Sequence, residues 1–233
     1  ANVTKWVQDK TERNLNWQII NLNVADIHDL HDSSILYMSG NQTLSFTDKE
    51  KAMLKQYVEE GGLIIGNADV GRNDFAKGFR ELAKDLFPEY EFFQLNEKLN
   101  HPLMNNQQYK ASEWKRKPRL EALGNRARLF MILIPNDDFS RTMQKRDYNR
   151  EEVFEFFANA YLYFFDNKQL PRYKGQTHVV RADAKIQPTT TIKIARLKYN
   201  GQWDPEPGAW KRMTAMMHNL DKIKLEAEVV ELG

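Results

Sequence analysis

The chain has 233 residues, room for one large α/β domain or for one domain with part of another. Its 41% hydrophobic and 28% charged content is ordinary for a globular protein, and a net charge of +2 supplies no whole-molecule field for nucleic acid or an anionic membrane. Zero cysteines exclude disulfides, thiolate metal sites and a cysteine nucleophile, and no apolar run nears the roughly 18 residues of a membrane helix.

Val3, Trp6 and Val7 form a short helical stripe that ends near Asn14. "WQIINLN" (17–23) reads as a strand and "ADIHDLHD" as a short turn or helix. "SILYMSG" (34–40) is a second strand, apolar on both faces. Thr47 and Glu50 then make a capping box for a helix on which Met53, Leu54, Tyr57 and Val58 recur at helical spacing. Gly61 and Gly62 stop it, since glycine accepts the left-handed conformation that closes a helix.

Leu63 to Gly66 is the third strand. The next helix carries Phe75, Phe79, Leu82 and Leu86, with Asn73 as its expected N-cap and Pro88 beyond its end. "YEFFQL" (90–95) is a strand, and 96–127 is a long polar excursion. "RLFMILIP" (128–135) is the strongest strand, apolar on both faces as inside a parallel sheet. Residues 149–167 start with Asn149 and Glu152 at capping-box spacing and are apolar nearly all round, which predicts a deeply packed helix. Strands alternating with helices predict an α/β domain over 1–170, with a largely parallel sheet.

Residues 171–188 read as a linker, and the pattern restarts over 189–233 with a strand (189–199), a Trp/Pro loop (203–210), a helix and a last strand (225–232). Moved back by 210 positions, residues 211–233 overlay 1–23 without a gap. Met213, Met216 and Met217 fall on Val3, Trp6 and Val7, Leu225 on Leu15, and Val229-Val230 on Ile19-Ile20. The tail therefore reads as the start of a second copy of the domain. Its strand 189–199 has no counterpart ahead of Ala1, so a first strand is expected to be missing and the chain to be an excised piece. That tail strand is expected to complete the first sheet, within the chain or by exchange between chains.

The blocks "ILYMSGNQTLSFTDKEKAMLKQYVEEGGLIIGNADVG", "FAKGFRELAKDLFP", "NHPLM", "RLFMILIPNDD" and "RLKYNGQWDPEPGAWKRM" resemble a bacterial domain family of unknown function. That family is related to the class I glutamine amidotransferase-like, flavodoxin-like fold. The resemblance covers about residues 1–170, and its opening block recurs at 192–233. It implies a three-layer α/β/α architecture with helices on both faces of the sheet. It also implies tandem copies within larger proteins, some of which carry an α/α-toroid resembling terpene cyclases. Partners would then be other domains of the same polypeptide, and no cofactor is implied.

In amidotransferases of that fold a cysteine occupies a tight strand-to-helix turn. Here the turn reads Asn67-Ala68-Asp69-Val70-Gly71, so a thioester route is closed. Asp69 could attack in its place only with a partnered base and oxyanion donors, and Asp137 and His101 are the candidates to assist. Asn and Asp also serve as plain turn formers and caps. Ligands in open α/β sheets bind outside the strand C-terminal ends. Those ends offer Ser39, Asn41, Asn67, Asp69, Asn136 and Asp137, a polar rim able to hold a sugar, a cation or a peptide segment. His28 and His31, spaced by three among aspartates, are metal candidates lacking a third ligand. "EWKRKPR" (113–119) reads as a solvated basic excursion rather than a nucleic-acid grip, and "WDPEPGAW" as loop packing or a carbohydrate shelf.

Two functions remain. One is a non-catalytic module for ligand binding or assembly; the other is a hydrolase, or a metal- or carbohydrate-binding domain, working through the Asn/Asp rim. Their geometries differ. Catalysis needs Asp69 beside a base, whereas the module predicts an Asp69 that caps the following helix or faces solvent.

Overall fold

A computed structural model describes residues 2–12, 15–98, 100–105, 107–165, 180–201, 203–204 and 207–231. Its strands are β1 (Ile35–Gly40), β2 (Leu63–Ala68), β3 (Phe93–Gln94), β4 (Glu121–Gly124), β5 (Leu129–Ile134), β6 (Thr190–Lys198) and β7 (Ile223–Glu231). The first five form one sheet in the order β1-β2-β5-β4-β3. β1, β2 and β5 run parallel, while β4 and β3 extend the sheet antiparallel. β2 and β5 are buried along their whole length, which is why their sequences are apolar on both faces. β1, at the sheet edge, is only half-buried.

The helices are α1 (Asn2–Thr11), α2 (Ile27–His31), α3 (Asp48–Glu59), α4 (Asn73–Leu86), α5 (Pro102–Asn105), α6 (Phe139–Lys145), α7 (Glu151–Phe165) and α8 (Pro207–Asp221). Strand alternation sorts the core into two clusters. Leu63 and Ile65 of β2 join Trp6 and Val7 of α1 and Phe154 and Phe156 of α7. Ile64 and Ala68 join Leu54 and Tyr57 of α3 and Phe75 and Phe79 of α4. Gly66 lies on the second side, where any Cβ would run into the Phe79 ring.

Local signals held where they were strong. Thr47 and Glu50 form the capping box of α3, with Glu50 N–H donating to Thr47 Oγ1 at 3.3 Å and Thr47 N–H to Glu50 Oε2 at 2.7 Å. Gly61 closes that helix at φ 112°. Four expectations need correction. Residues 17–23 form no strand: Trp17 and Ile19 are 57% and 87% exposed, with no strand beside them to supply hydrogen bonds. The strand at 90–95 shrinks to Phe93–Gln94. Asn73 is the first residue of α4 rather than its cap, and Arg72 at the cap position makes no side-chain cap bond. Asn149 does not cap α7 either; Asp147 accepts its N–H at 3.2 Å and begins a short 3-10 turn ahead of α7.

The excursion 96–127 is not wholly irregular, since it holds α5, a 3-10 turn and β4. Of the expected linker, residues 171–179 lie outside the described residues. The tail forms its own two-stranded parallel sheet, β6 paired with β7 from Thr190↔Ile223 to Lys198↔Glu231. Within the chain, then, β6 does not complete the five-stranded sheet. The tail meets the C-terminal end of α3 through other residues, Lys211 of α8 with its Nζ 2.7 Å from Glu59 and Arg181 ahead of β6 with its Nη1 3.0 Å from Glu60.

Candidate functional site

β2 leads into α4 through a 3-10 turn, Asp69–Gly71. Val70 sits at φ 56°, ψ 21°, a left-handed conformation that a β-branched residue adopts only at a cost. Its N–H donates to Asp138 Oδ2 at 3.1 Å, which pins the turn from the end of β5. Gly71 follows at φ 65°, close against the backbone of Asn136. Two left-handed residues in succession make the sharp reversal expected of an elbow.

Asn67 organises what surrounds it. The side chain is fully buried and its hydrogen-bonding capacity is filled. Nδ2 donates to the carbonyls of Asp137 at 2.6 Å and Ile134 at 3.3 Å. Oδ1 accepts from the Ser140 N–H at 3.1 Å and from the Tyr37 hydroxyl at 3.1 Å. Tyr37 Oη and Ser140 Oγ are themselves 2.6 Å apart. One amide thereby ties the middle of β1 and the C-terminal ends of β2 and β5 together. Burial raises the Tyr37 phenol above its ordinary range, so it stays a neutral donor.

The neighbouring carboxylates are equally committed. Asp138 Oδ1 accepts from the Arg141 N–H at 2.8 Å and caps α6. Asp137 takes a bidentate grip from Arg150, at 3.0 and 2.5 Å, and Arg150 Nε reaches Glu152 at 2.6 Å. The hydrogen bonds that Arg150 donates to Asp137, ahead of the one to Glu152, push its guanidinium above its already high range.

Asp69 is the exception. Its pKa is raised, first by burial and then by the Asp138 charge, while the Ser140 and Ser39 hydroxyls oppose the shift. Oδ1 is buried without a hydrogen-bond partner. It does not cap α4. Its interacting groups are hydroxyls and a second carboxylate, Asp138, whose two oxygens already accept the Val70 and Arg141 N–H groups; no histidine or lysine is among them.

The structure therefore gathers Ser39, Asn67, Asp69 and Asp137 around one turn, and leaves Asn41 and Asn136 exposed at the rim. His101 is elsewhere: its Nδ1 accepts the Leu103 N–H at 3.2 Å and its ring packs 5.4 Å from Tyr163, with burial lowering its pKa. Sequence reasoning missed Tyr37, Ser140 and Arg150. Tyr37 hid within an apolar strand, and the signal for Ser140 was its place in the first turn after a capping aspartate.

His31 lies 2.7 Å from Glu60 and against the Tyr57 ring, and His28 Nα donates to the Asp26 carboxylate that caps α2. Among the described residues no group of three or more His, Asp or Glu could hold a metal ion. Trp114 is buried in the core, so it offers no stacking face beside the basic run. The Trp203 and Trp210 rings are taken by Arg196, which lies 5.3 and 4.7 Å from their centroids and pairs with Asp204 at 2.5 Å. Among the described residues no helix is long and apolar enough to cross a membrane.

No curated relative matches the chain. A family profile described as "Domain of unknown function (DUF4159)" matches residues 1–165. A match over that share of the sequence, with the fold and turn above, places the chain in the DUF4159 family of domains of unknown function.

Proposed function

We propose that this chain is a non-catalytic, glutamine amidotransferase-like module of three-layer, flavodoxin-like form, used for ligand binding or assembly within a larger protein. The observation that carries this reading is the use of the elbow's polar groups. Asn67, Asp137 and Asp138 spend their hydrogen bonds on holding the turn and its neighbours, and Asp69 has no uncommitted base among its interacting groups. An acyl-transfer or hydrolytic site needs a nucleophile, a base in reach and free donors for the developing charge. Here the Val70 N–H, within the turn, is already engaged by Asp138.

One observation favours a second reading, a small-ligand or cation site at the rim. Asp69 Oδ1 is buried and unpartnered beside the exposed Ser39. Thermal-shift screening of the chain against divalent cations and sugars, with Asp69→Asn alongside, separates the two. The inert turn predicts no specific stabilisation by any of them. A shift of several degrees that disappears in Asp69→Asn would replace the first reading with the second.

A further inference from the structure

α3 ends in a way that its own sequence does not balance. Glu59 is its last residue and Glu60 its C-cap, and its last turn carries no basic residue. A carboxylate at the negative end of a helix dipole is repelled, so this pair is unfavourable until cations arrive from elsewhere. Glu60 is also fixed from within the body. Gln56 Nε2 donates to its Oε1 at 2.9 Å, His31 Nε2 lies 2.7 Å from its Oε2, and the side chain is only 13% exposed.

The tail brings what is lacking. Arg181 meets both Glu60 oxygens, at 3.0 and 3.2 Å, and Lys211 of α8 lies 2.7 Å from Glu59. A guanidinium that engages both oxygens of a held carboxylate sets direction as well as attraction. Gly208, in the first turn of α8, comes so near that any Cβ would fall 2.3 Å from the Glu59 carbonyl oxygen. The positive end of α8 thereby abuts the negative end of α3. Arg181 and α8 act as one piece, because Asn219 donates to the Arg181 carbonyl and accepts the Asp183 N–H, both at 2.8 Å. Among the described residues, neither core cluster of the body takes in a residue of the tail.

We propose that the C-terminal end of α3 is a docking surface whose partner is the segment that follows the body in the same chain. The partner is recognised as a helix start opened by glycine and flanked by an arginine and a lysine. Charge and close backbone approach hold it, and the joint fixes the direction in which the next part of a larger protein leaves the body. This gives the assembly role proposed above a definite surface, and it rests on these contacts, not on the turn at Asp69.

The chain has no cysteine, so Lys84→Cys on α4 and Glu228→Cys on β7, both exposed, place one unique pair of spin labels on the full chain. Pulsed electron paramagnetic resonance then reads the distance between body and tail. One narrow distance is expected at low salt, and it should broaden in about 1 M sodium chloride, where charges are screened beyond about 3 Å. The narrow distance should also be lost in Gly208→Ala, which changes no charge, and in Lys211→Glu. Adding Glu59→Lys to Lys211→Glu should bring it back, because the pair is then reversed rather than removed. A broad distance in the labelled parent, or one that salt leaves narrow, overturns the docking surface without any further substitution. A narrow distance that persists in Gly208→Ala overturns the close approach, and failure of the reversed pair to restore it overturns Glu59 as the recognised group. A ligand found at Asp69 would overturn the inert-turn reading and leave these distances unchanged.

Discussion

Residues 2–21 and 212–231 share apolar register, yet each region succeeds where the other fails. At the head the helix is secure: Trp6 and Val7 are buried, and the Trp6 ring lies 5.6 Å from Phe154 and 5.8 Å from Tyr109. The segment after it stays exposed and unpaired. At the tail the strand forms, but Met213 and Met216 of its helix remain 37% and 38% exposed. A helix satisfies its own backbone and asks only for a surface to pack on, whereas a strand needs a neighbour for its hydrogen bonds. α7 gives the head its surface, and β6 gives the tail its neighbour.

The largest expected effect breaks this comparison at aligned positions. Trp6→Ala should cost about 3–5 kcal/mol, and Met216→Ala no more than about 1 kcal/mol, by urea denaturation. Equal losses would mean that α8 is packed as firmly as α1. Next is Asn67→Ala, expected to cost about 2–3 kcal/mol by leaving the Ser140 N–H and the Asp137 carbonyl unpaired inside the body. Hydrogen exchange in β6 and β7 should be unchanged by it, since nothing in the tail touches that network.

pH sharpens the contrast between two carboxylates of the body. Burial raises the Glu121 pKa, but hydrogen bonds and charge from Arg80, aided by Arg119 and Gln94, bring it below its ordinary value. Glu121 therefore contributes stability above its unfolded pKa, and that stability is lost as pH falls through the lower folded value. Glu121→Gln should cost about 1.5 kcal/mol at neutral pH and less in acid. Asp69 has the opposite sign. Its folded pKa is raised, so its ionisation costs stability as pH rises from the unfolded toward the folded value and above. Asp69→Asn should raise the neutral-pH midpoint slightly and change nothing in acid. The smallest effect is Lys211→Ala, about 0.5 kcal/mol, because the Lys211–Glu59 pair is largely exposed at the lysine.

Much of the body was legible in sequence because its signals are local. The Thr47–Glu50 box, the Gly61 stop and the apolar runs of β2 and β5 need no distant partner to be read. β4 was hidden because Glu121 makes a buried strand look like surface, and its chief partner, Arg80, lies 41 residues away. At the turn, Asn67, Asp69 and Asp137 were found from the rule that strand ends carry sites. Tyr37 and Arg150 were not, since their roles come from separate elements converging on the same place.

By itself the sequence determined that strands alternate with helices, that the sheet is largely parallel, and that the elbow lacks the thiol of an amidotransferase. These follow from side-chain type and spacing, which act over a few residues. Only the tertiary structure decided that Asn67 closes the turn, that Asp69 is partly buried without a base, and that residues 17–23 lie unpaired beside an open groove. Hydrogen-bond partners and burial are properties of elements brought together from far along the chain. For that reason the same apolar pattern is a strand beside β6 and an exposed coil beside α1.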